Sequence, residues 1–339
     1  MTLRYIDYPF QEDAAKMKFP VRFKDDLYNL AVGFFMGAAN VIPGVSGGTM
    51  LFIMGAFGKL VDALRLLASP ETIKLLLKFD FKALYHRIPW RFLCGIGIGL
   101  LISFATLAKL MVWLLANHEK LTFAFFFGLI AASIISVNRQ IKKWSPGAVV
   151  SLLAGAAAAF AVISLVPVDS GTAWYTFVLC GAICIIAMIL PGLSGSFLLL
   201  VLGQYDRVWN AVGNAAHFNI NSNEIFMLLL LVIGCVIGLA SFVHLLNYLM
   251  KNFYNATIAM LIGFMLGSMP RIWPFQHADL SSVTLQKGKL VTTRVIYELP
   301  GWNLDLLYVV LCAAAGLLLF LVIEFIAAKK PANIEKEEN

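Results

Sequence analysis

The chain has 339 residues, of which 60% are hydrophobic and 13% charged, and its mean hydropathy is +0.83. Soluble domains carry about 25% charged residues, so this chain lacks the polar surface that a water-soluble fold needs. Its 26 Phe and aperiodic glycines exclude disorder and collagen-like repeats. What remains is a multi-spanning membrane protein, whose net charge of +7 reflects basic cytoplasmic loops and not a nucleic-acid partner.

Residues 1–26 are polar and mixed in charge, with no cleavable signal visible, and read as a cytoplasmic segment. Residues 27–64 are apolar but broken at Ile42-Pro43-Gly44-Val45-Ser46-Gly47-Gly48. Residues 69–88 open on Ser69-Pro70-Glu71 and mix Leu and Phe with Lys, which predicts an interfacial amphipathic helix. Plain spans follow at 91–115, 121–138 and 148–166. A second broken segment, 174–212, is interrupted at Leu190-Pro191-Gly192-Leu193-Ser194-Gly195-Ser196. Spans at 225–249, 255–270 and 305–327 complete the pattern, before a cytoplasmic tail at 328–339. An outside loop, 271–304, alternates Val, Thr, Ile and Tyr around Lys287-Gly288 and predicts a small β-hairpin. Cys94, Cys180, Cys184, Cys235 and Cys312 all fall in apolar runs, so neither disulfides nor metal sites are expected.

The two broken segments are copies. A shift of 148 residues superimposes Gly33 on Gly181, Pro43 on Pro191, Gly44 on Gly192, Ser46 on Ser194, Gly47 on Gly195, Gly55 on Gly203 and Lys59 on Arg207. Further on, Gly95 and Gly99 match Gly234 and Gly238, and Gly128 with Ser133 matches Gly263 with Ser268. The chain therefore divides into repeats, 27–166 and 174–327. Each holds one broken segment and three plain spans. A hairpin returns to its own side while three spans do not, so the second repeat is expected to be inverted. With the N-terminus inside, 18 Lys and Arg fall on the cytoplasmic side and 6 outside, which supports cytoplasmic termini. The first arms, 27–42 and 174–190, reach only about 24 and 26 Å as helices. They favour re-entrant hairpins over two spanning ones. The expected fold is an all-α integral membrane protein of two inverted-topology repeats, each a broken re-entrant helical hairpin plus three transmembrane helices.

Irregular backbone at membrane depth is tolerated only when buried in protein or lining a wet cavity. At each tip Pro43 or Pro191 stops one arm. The next begins at Ser46-Gly47-Gly48-Thr49 or Ser194-Gly195-Ser196. Unpaired amides, close approach at glycine and the positive end of the helix dipole suit a phosphate or carboxylate. The alternative is a tip that only packs against its mate. Lys59 and Arg207 are candidates for meeting an anionic head group in opposite leaflets, or for snorkelling to phospholipids. Asn40 stands close enough to the first break to support the site. Asp62 and Asn210 read as interfacial polar residues. Lys109, His244 and Glu324 lie within spans; structural roles are expected for His244 and Glu324, with proton carriage as the alternative for either. No nucleotide-binding or zinc-protease motif is present. Intramembrane lipid-diphosphate phosphatases place Arg after the tip Ser, where this chain has Gly47 and Gly195, and no acidic pair flanks either tip.

The stretches Asn40-Val-Ile-Pro-Gly-Val-Ser-Gly-Gly-Thr49 and Leu190-Pro-Gly-Leu-Ser-Gly-Ser196, with Gly-Gln-Tyr-Asp at 203–206, resemble the bacterial polyprenyl-phosphate transporter family over about 27–327. The resemblance implies a protein of the bacterial cytoplasmic membrane. Its partners would be undecaprenyl phosphate and membrane lipids, and the carrier would return from the outer to the inner leaflet for envelope synthesis. Site residues carried over are Pro43, Gly44, Ser46, Gly47, Gly48, Thr49, Pro191, Gly192, Ser194, Gly195 and Ser196. No catalysis and no cofactor are expected, and coupling to protons or sodium ions is left open. An ion-coupled carrier of a small anion is the runner-up reading.

Overall fold

A computed structural model describes residues 23–40, 47–165, 170–278, 283–286, 289–292 and 295–328. Most of them are helical. The first broken segment is α1 (Phe23–Asn40), α2 (Gly47–Ile53) and α3 (Phe57–Leu67). The second is α9 (Trp174–Ile189), α10 (Gly195–Val201) and α11 (Tyr205–Ala216). Between them lie α4 (Pro70–Leu77), α5 (Phe81–Arg87), α6 (Trp90–Asn117), α7 (Glu119–Asn138) and α8 (Pro146–Ile163). After them come α12 (Ser222–Asn252), α13 (Tyr254–Ser268) and α14 (Leu304–Ala328).

Among the described residues, five helices, α6, α7, α8, α12 and α14, are long and apolar enough to cross a membrane. The sixth expected span, α13, has 15 residues and gains its remaining length from a 3-10 turn, Met269–Ile272. Together they reach about 30 Å.

Each second arm is two helices, not one. Gly55 (φ +64°) separates α2 from α3, and Gly203 (φ +66°) separates α10 from α11. The Ala56 amide reaches back to the Leu51 carbonyl, and the Gln204 amide to that of Leu199, both at 2.9 Å. Such a turn closes the last carbonyls of a helix and needs a left-handed residue, which glycine supplies without strain. The segment expected to form one interfacial helix is also divided. Ser69 caps α4, Phe79 turns left-handed (φ +55°), and Asp80 caps α5 through the Ala83 amide at 3.0 Å.

Equivalent helices make equivalent pairs. α1 lies parallel to α6: Asp26 binds Arg91, Gly33 abuts Ile96, and Gly37 abuts Leu100 and Ser103. α9 lies parallel to α12 in the same way, with Gly181 against Leu231, Gly234 against Val178 and Gly238 against Ala182. α7 pairs with α14 of the other repeat, through Gly128 against Ala313 and Gly316 against Phe125. α13 pairs with α8 through Gly263 against Leu152 and Gly155 against Met260. At each of these seams a Cβ on the glycine would sit within 3 Å of the facing chain. The helices therefore approach backbone to backbone, as small residues allow in a membrane. Lys120–Asp305 (3.3 Å) and Ser136–Glu324 (2.6 Å) join the two ends of α7 to the corresponding ends of α14. Glu324 is thereby a hydrogen-bonded structural residue, and Arg139 lies 4.0 Å from it.

The expected hairpin after α13 is present. β2 (Val283–Gln286) pairs antiparallel with β3 (Lys289–Thr292), with Gln286 opposite Lys289, and β1 (Gln276–Ala278) pairs with β4 (Val295–Tyr297). The turn residues Lys287 and Gly288 lie outside the described residues.

Candidate functional site

Both hairpins close at their mouths. The Tyr28 hydroxyl donates to the Met54 carbonyl, so the first hairpin returns to the level where it began. In the second, the Ser170 hydroxyl donates to the Leu202 carbonyl at 2.6 Å, at the equivalent height. Gln204, fully buried, donates to Ser170 Oγ (2.9 Å) and to the Gly171 carbonyl (2.8 Å). Arg207 donates to the Gly171 carbonyl (3.0 Å) and to Gln204 Oε1 (3.1 Å). Arg207 therefore fastens the hairpin mouth and is not at the tip. Lys59 holds the matching place on α3 and is half-buried.

The second tip is a tight turn. Leu190-Pro191-Gly192-Leu193 carries Gly192 at φ +87°, with the Leu193 amide 3.5 Å from the Leu190 carbonyl. Proline followed by a left-handed glycine is the pattern of a type II turn. A Cβ on Gly192 would lie 2.6 Å from the Phe264 carbonyl oxygen and 2.8 Å from Ser268 Oγ, so this tip is seated on α13. Of the first tip, Pro43, Gly44 and Ser46 lie outside the described residues. Gly47, Gly48 and Thr49 are described, and Gly48 and Thr49 meet the second tip. The Gly192 amide donates to Thr49 Oγ1 at 3.2 Å, and a Cβ on Gly48 would stand 2.4 Å from the Ile189 carbonyl oxygen. Thr49 has no exposed surface.

The glycines thus serve close contact. Gly47 fits against Met36 and Asn40, and its amide is bound by Asn40 Oδ1 at 2.9 Å. Gly195 fits against Cys184 and Met188, the equivalent positions of the other repeat. One of the amides expected to be open, that of Gly47, is already paired, and so is the amide of Gly192 in the second tip. Among the described tip residues, the hydroxyls of Ser194, half-buried, and Ser196, exposed, remain accessible and lie 2.9 Å apart. Asn40 Nδ2 is buried and has no hydrogen-bond partner among the described residues.

A residue that motif reading passed over joins this region. Arg271, in the 3-10 turn after α13, places its guanidinium carbon 5.2 Å from the centre of the Phe197 ring. Phe197 directly follows Ser196. Arg271 is half-buried, and among the described residues no acceptor binds its guanidinium. The signal available in the sequence was its position beside the last turn of a span. Asp62 departs from expectation as well. It is wholly buried, whereas its counterpart Asn210 is exposed. His244 is bound within its own helix, at 2.6 Å from the Ala240 carbonyl. The side chain of Lys109 lies outside the described residues.

A family model described as VCA0040-like, undecaprenyl phosphate translocase-like, matches residues 36–291, which include both tips and the contact between them. The chain belongs to that translocase-like family. A polyprenyl-phosphate transporter of Vibrio cholerae serotype O1 is 39% identical over 245 residues, 72% of this chain and 77% of the relative. A polyprenyl-phosphate transporter of Staphylococcus aureus is 28% identical over 262 residues, 73% of this chain and 86% of the relative. No solved structure matches. For the translocase-like family, the arrangement above offers joined tips, two accessible hydroxyls and a half-buried guanidinium.

Proposed function

We propose that this protein carries undecaprenyl phosphate from the outer to the inner leaflet of the bacterial cytoplasmic membrane, without hydrolysing it. Two relatives are named for polyprenyl-phosphate transport. The observation that carries the site is the Ser194–Ser196 hydroxyl pair at the start of α10, followed by Phe197, whose ring meets a guanidinium that no acceptor binds among the described residues. Hydroxyls and Arg are the side chains that best match phosphate oxygens, and a guanidinium held away from bulk water strengthens the pairing. The isoprenoid tail stays in the bilayer while the head group enters.

In this reading the repeats are inverted and the hairpins re-entrant, with both termini cytoplasmic, as the 18 to 6 distribution of basic residues supports. The second hairpin and Arg271 then open to the outside, where the head group arrives. Rocking of one repeat against the other, across the Thr49–Gly192 contact, passes it to the inner opening. The test uses vesicles holding the purified protein and fluorescent undecaprenyl phosphate in one leaflet. Movement to the other leaflet that falls on joint Ser194→Ala and Ser196→Ala substitution is the expected result. No movement by the unaltered protein, or release of phosphate from polyprenyl diphosphate, overturns the reading.

A further inference from the structure

Asp62, on α3, has no exposed surface, and among the described residues neither of its carboxylate oxygens has a hydrogen-bond partner. An ionised carboxylate in that condition is strongly disfavoured, and a group so placed either takes up a proton or finds a cation. A cation is at hand but engaged. Arg65, three residues on and so on the same helical face, is the charge whose field reaches the carboxyl. Its guanidinium instead donates to Asn247 Oδ1 on α12, at 3.0 Å. That bond ties the first hairpin to the second repeat.

Among the described residues, the surroundings supply no hydrogen-bond partner for this carboxyl. α12, packed on α3, carries His244 and Lys251, both exposed, and Glu224, which lies about 35 Å away near its other end. α4 carries Glu71 and Lys74, both exposed, and α2 has no titratable residue. α3 itself adds Lys59, on the turn before Asp62. The Tyr28 hydroxyl of α1 is bound to Met54.

We infer that Asp62 is the proton-binding site through which transport is coupled to the proton gradient. With the proton bound, the carboxyl is neutral and Arg65 remains on Asn247, as in this structure. When the proton leaves, the carboxylate draws Arg65 to itself and the hairpin is released from α12. Proton occupancy and hairpin position are then two readings of one equilibrium, the requirement for coupling. The chemistry is one proton gained and lost at one carboxyl. A phosphate head group moving inward carries negative charge against an inside-negative potential, and a proton moving with it offsets that charge. Asn210, at the matching place in the second repeat, is neutral and exposed, so only one hairpin carries the device.

The inference rests on the transport reading, and the experiment separates the two. Vesicles of phosphatidylethanolamine and phosphatidylglycerol hold the protein and fluorescent undecaprenyl phosphate, with the membrane potential clamped at zero. One proton per lipid means that a gradient of one pH unit shifts the steady-state leaflet ratio about tenfold. Asp62→Asn, which copies Asn210, is expected to leave that ratio unmoved by the gradient, and Asp62→Glu to restore the response. Infrared spectroscopy, which needs no lipid movement, should find a protonated carboxyl band that is lost in Asp62→Asn. That band in a protein that moves no lipid supports the proton site while removing the transport reading. An Asp62→Asn protein that still follows the pH gradient, a sodium gradient that substitutes for protons, or the absence of the band overturns the inference.

Discussion

The amide of Gly192 donates to the hydroxyl of Thr49 across 143 residues of sequence, joining the tips of the two hairpins at 3.2 Å. The bond is buried, so water cannot replace a lost partner. Thr49→Val keeps the shape and removes the acceptor. It should destabilise the protein by about 1–3 kcal/mol, the cost of an orphaned buried amide, while Thr49→Ser stays near the parent. Thermal unfolding in detergent measures both.

The glycines divide into those needed for conformation and those needed for space. A Cβ on Gly55 meets nothing within 4 Å, so Gly55→Ala bears only the left-handed backbone, about 1–2 kcal/mol. Gly192→Ala bears the same strain and also overlaps the Phe264 carbonyl. It should cost about 1–3 kcal/mol more. The same melting series ranks them, and a Gly192→Ala protein as stable as Gly55→Ala would show that α13 does not support the tip.

Much of this was legible because backbone contact forces residue choice. Gly33, Gly181, Gly128 and Gly263 had to be small where helices touch, so the repeat could be read by matching glycines. Pro191-Gly192 announced a turn by its own dihedrals. Other features were hidden because they depend on what lies across the fold. Gly55 and Gly203 matched in sequence, but their left-handed turns, and so the division of each second arm, did not follow from the match. Asp62 and Asn210 looked alike, and only the burial of α3 separates them. Arg271 counted as a loop cation because nothing in the motif says that a 3-10 turn carries it onto Phe197. The tip amide of Gly47 looked open because Asn40, which fills it, acts across the break, and the bond from Gly192 to Thr49 was hidden because it joins two hairpins far apart in sequence.

Arg207 and Arg271 should fail differently when changed. Arg207→Gln loses two hydrogen bonds at the hairpin mouth and should lower stability by about 1–3 kcal/mol. Arg271→Gln breaks no hydrogen bond made by its guanidinium among the described residues, so stability should change little. In the proposed function it removes a charge-assisted contact to phosphate of about 1.5–3 kcal/mol, which is roughly a 10- to 150-fold weaker apparent affinity. Flipping rates against lipid concentration, paired with melting curves, distinguish the two. Equal stability loss with unaltered affinity for Arg271→Gln would remove it from the site.

Phe79 and Phe218 offer a direct test of inversion. Both adopt φ +55°, and both are exposed, at 74% and 97%. Each closes the same turn: the amide after Phe79 binds Leu75, and the amide after Phe218 binds Asn214. The offset of 139 residues is the one that relates Gly95 to Gly234, so the two phenylalanines are equivalent points of the two repeats. Repeats of like orientation would put equivalent points on the same face of the membrane, whereas inverted repeats put them on opposite faces. Single cysteines at each position, in a chain whose five native cysteines are replaced by Ala or Ser, can be challenged in intact cells with a membrane-impermeant maleimide. Phe218→Cys should label from outside, and Phe79→Cys only after the cells are opened. Labelling of both from one side would refute inversion and, with it, the outward placement of Arg271. Labelling in the reverse order would keep the inversion but turn the molecule over, and the second hairpin would then receive its head group from the cytoplasmic leaflet.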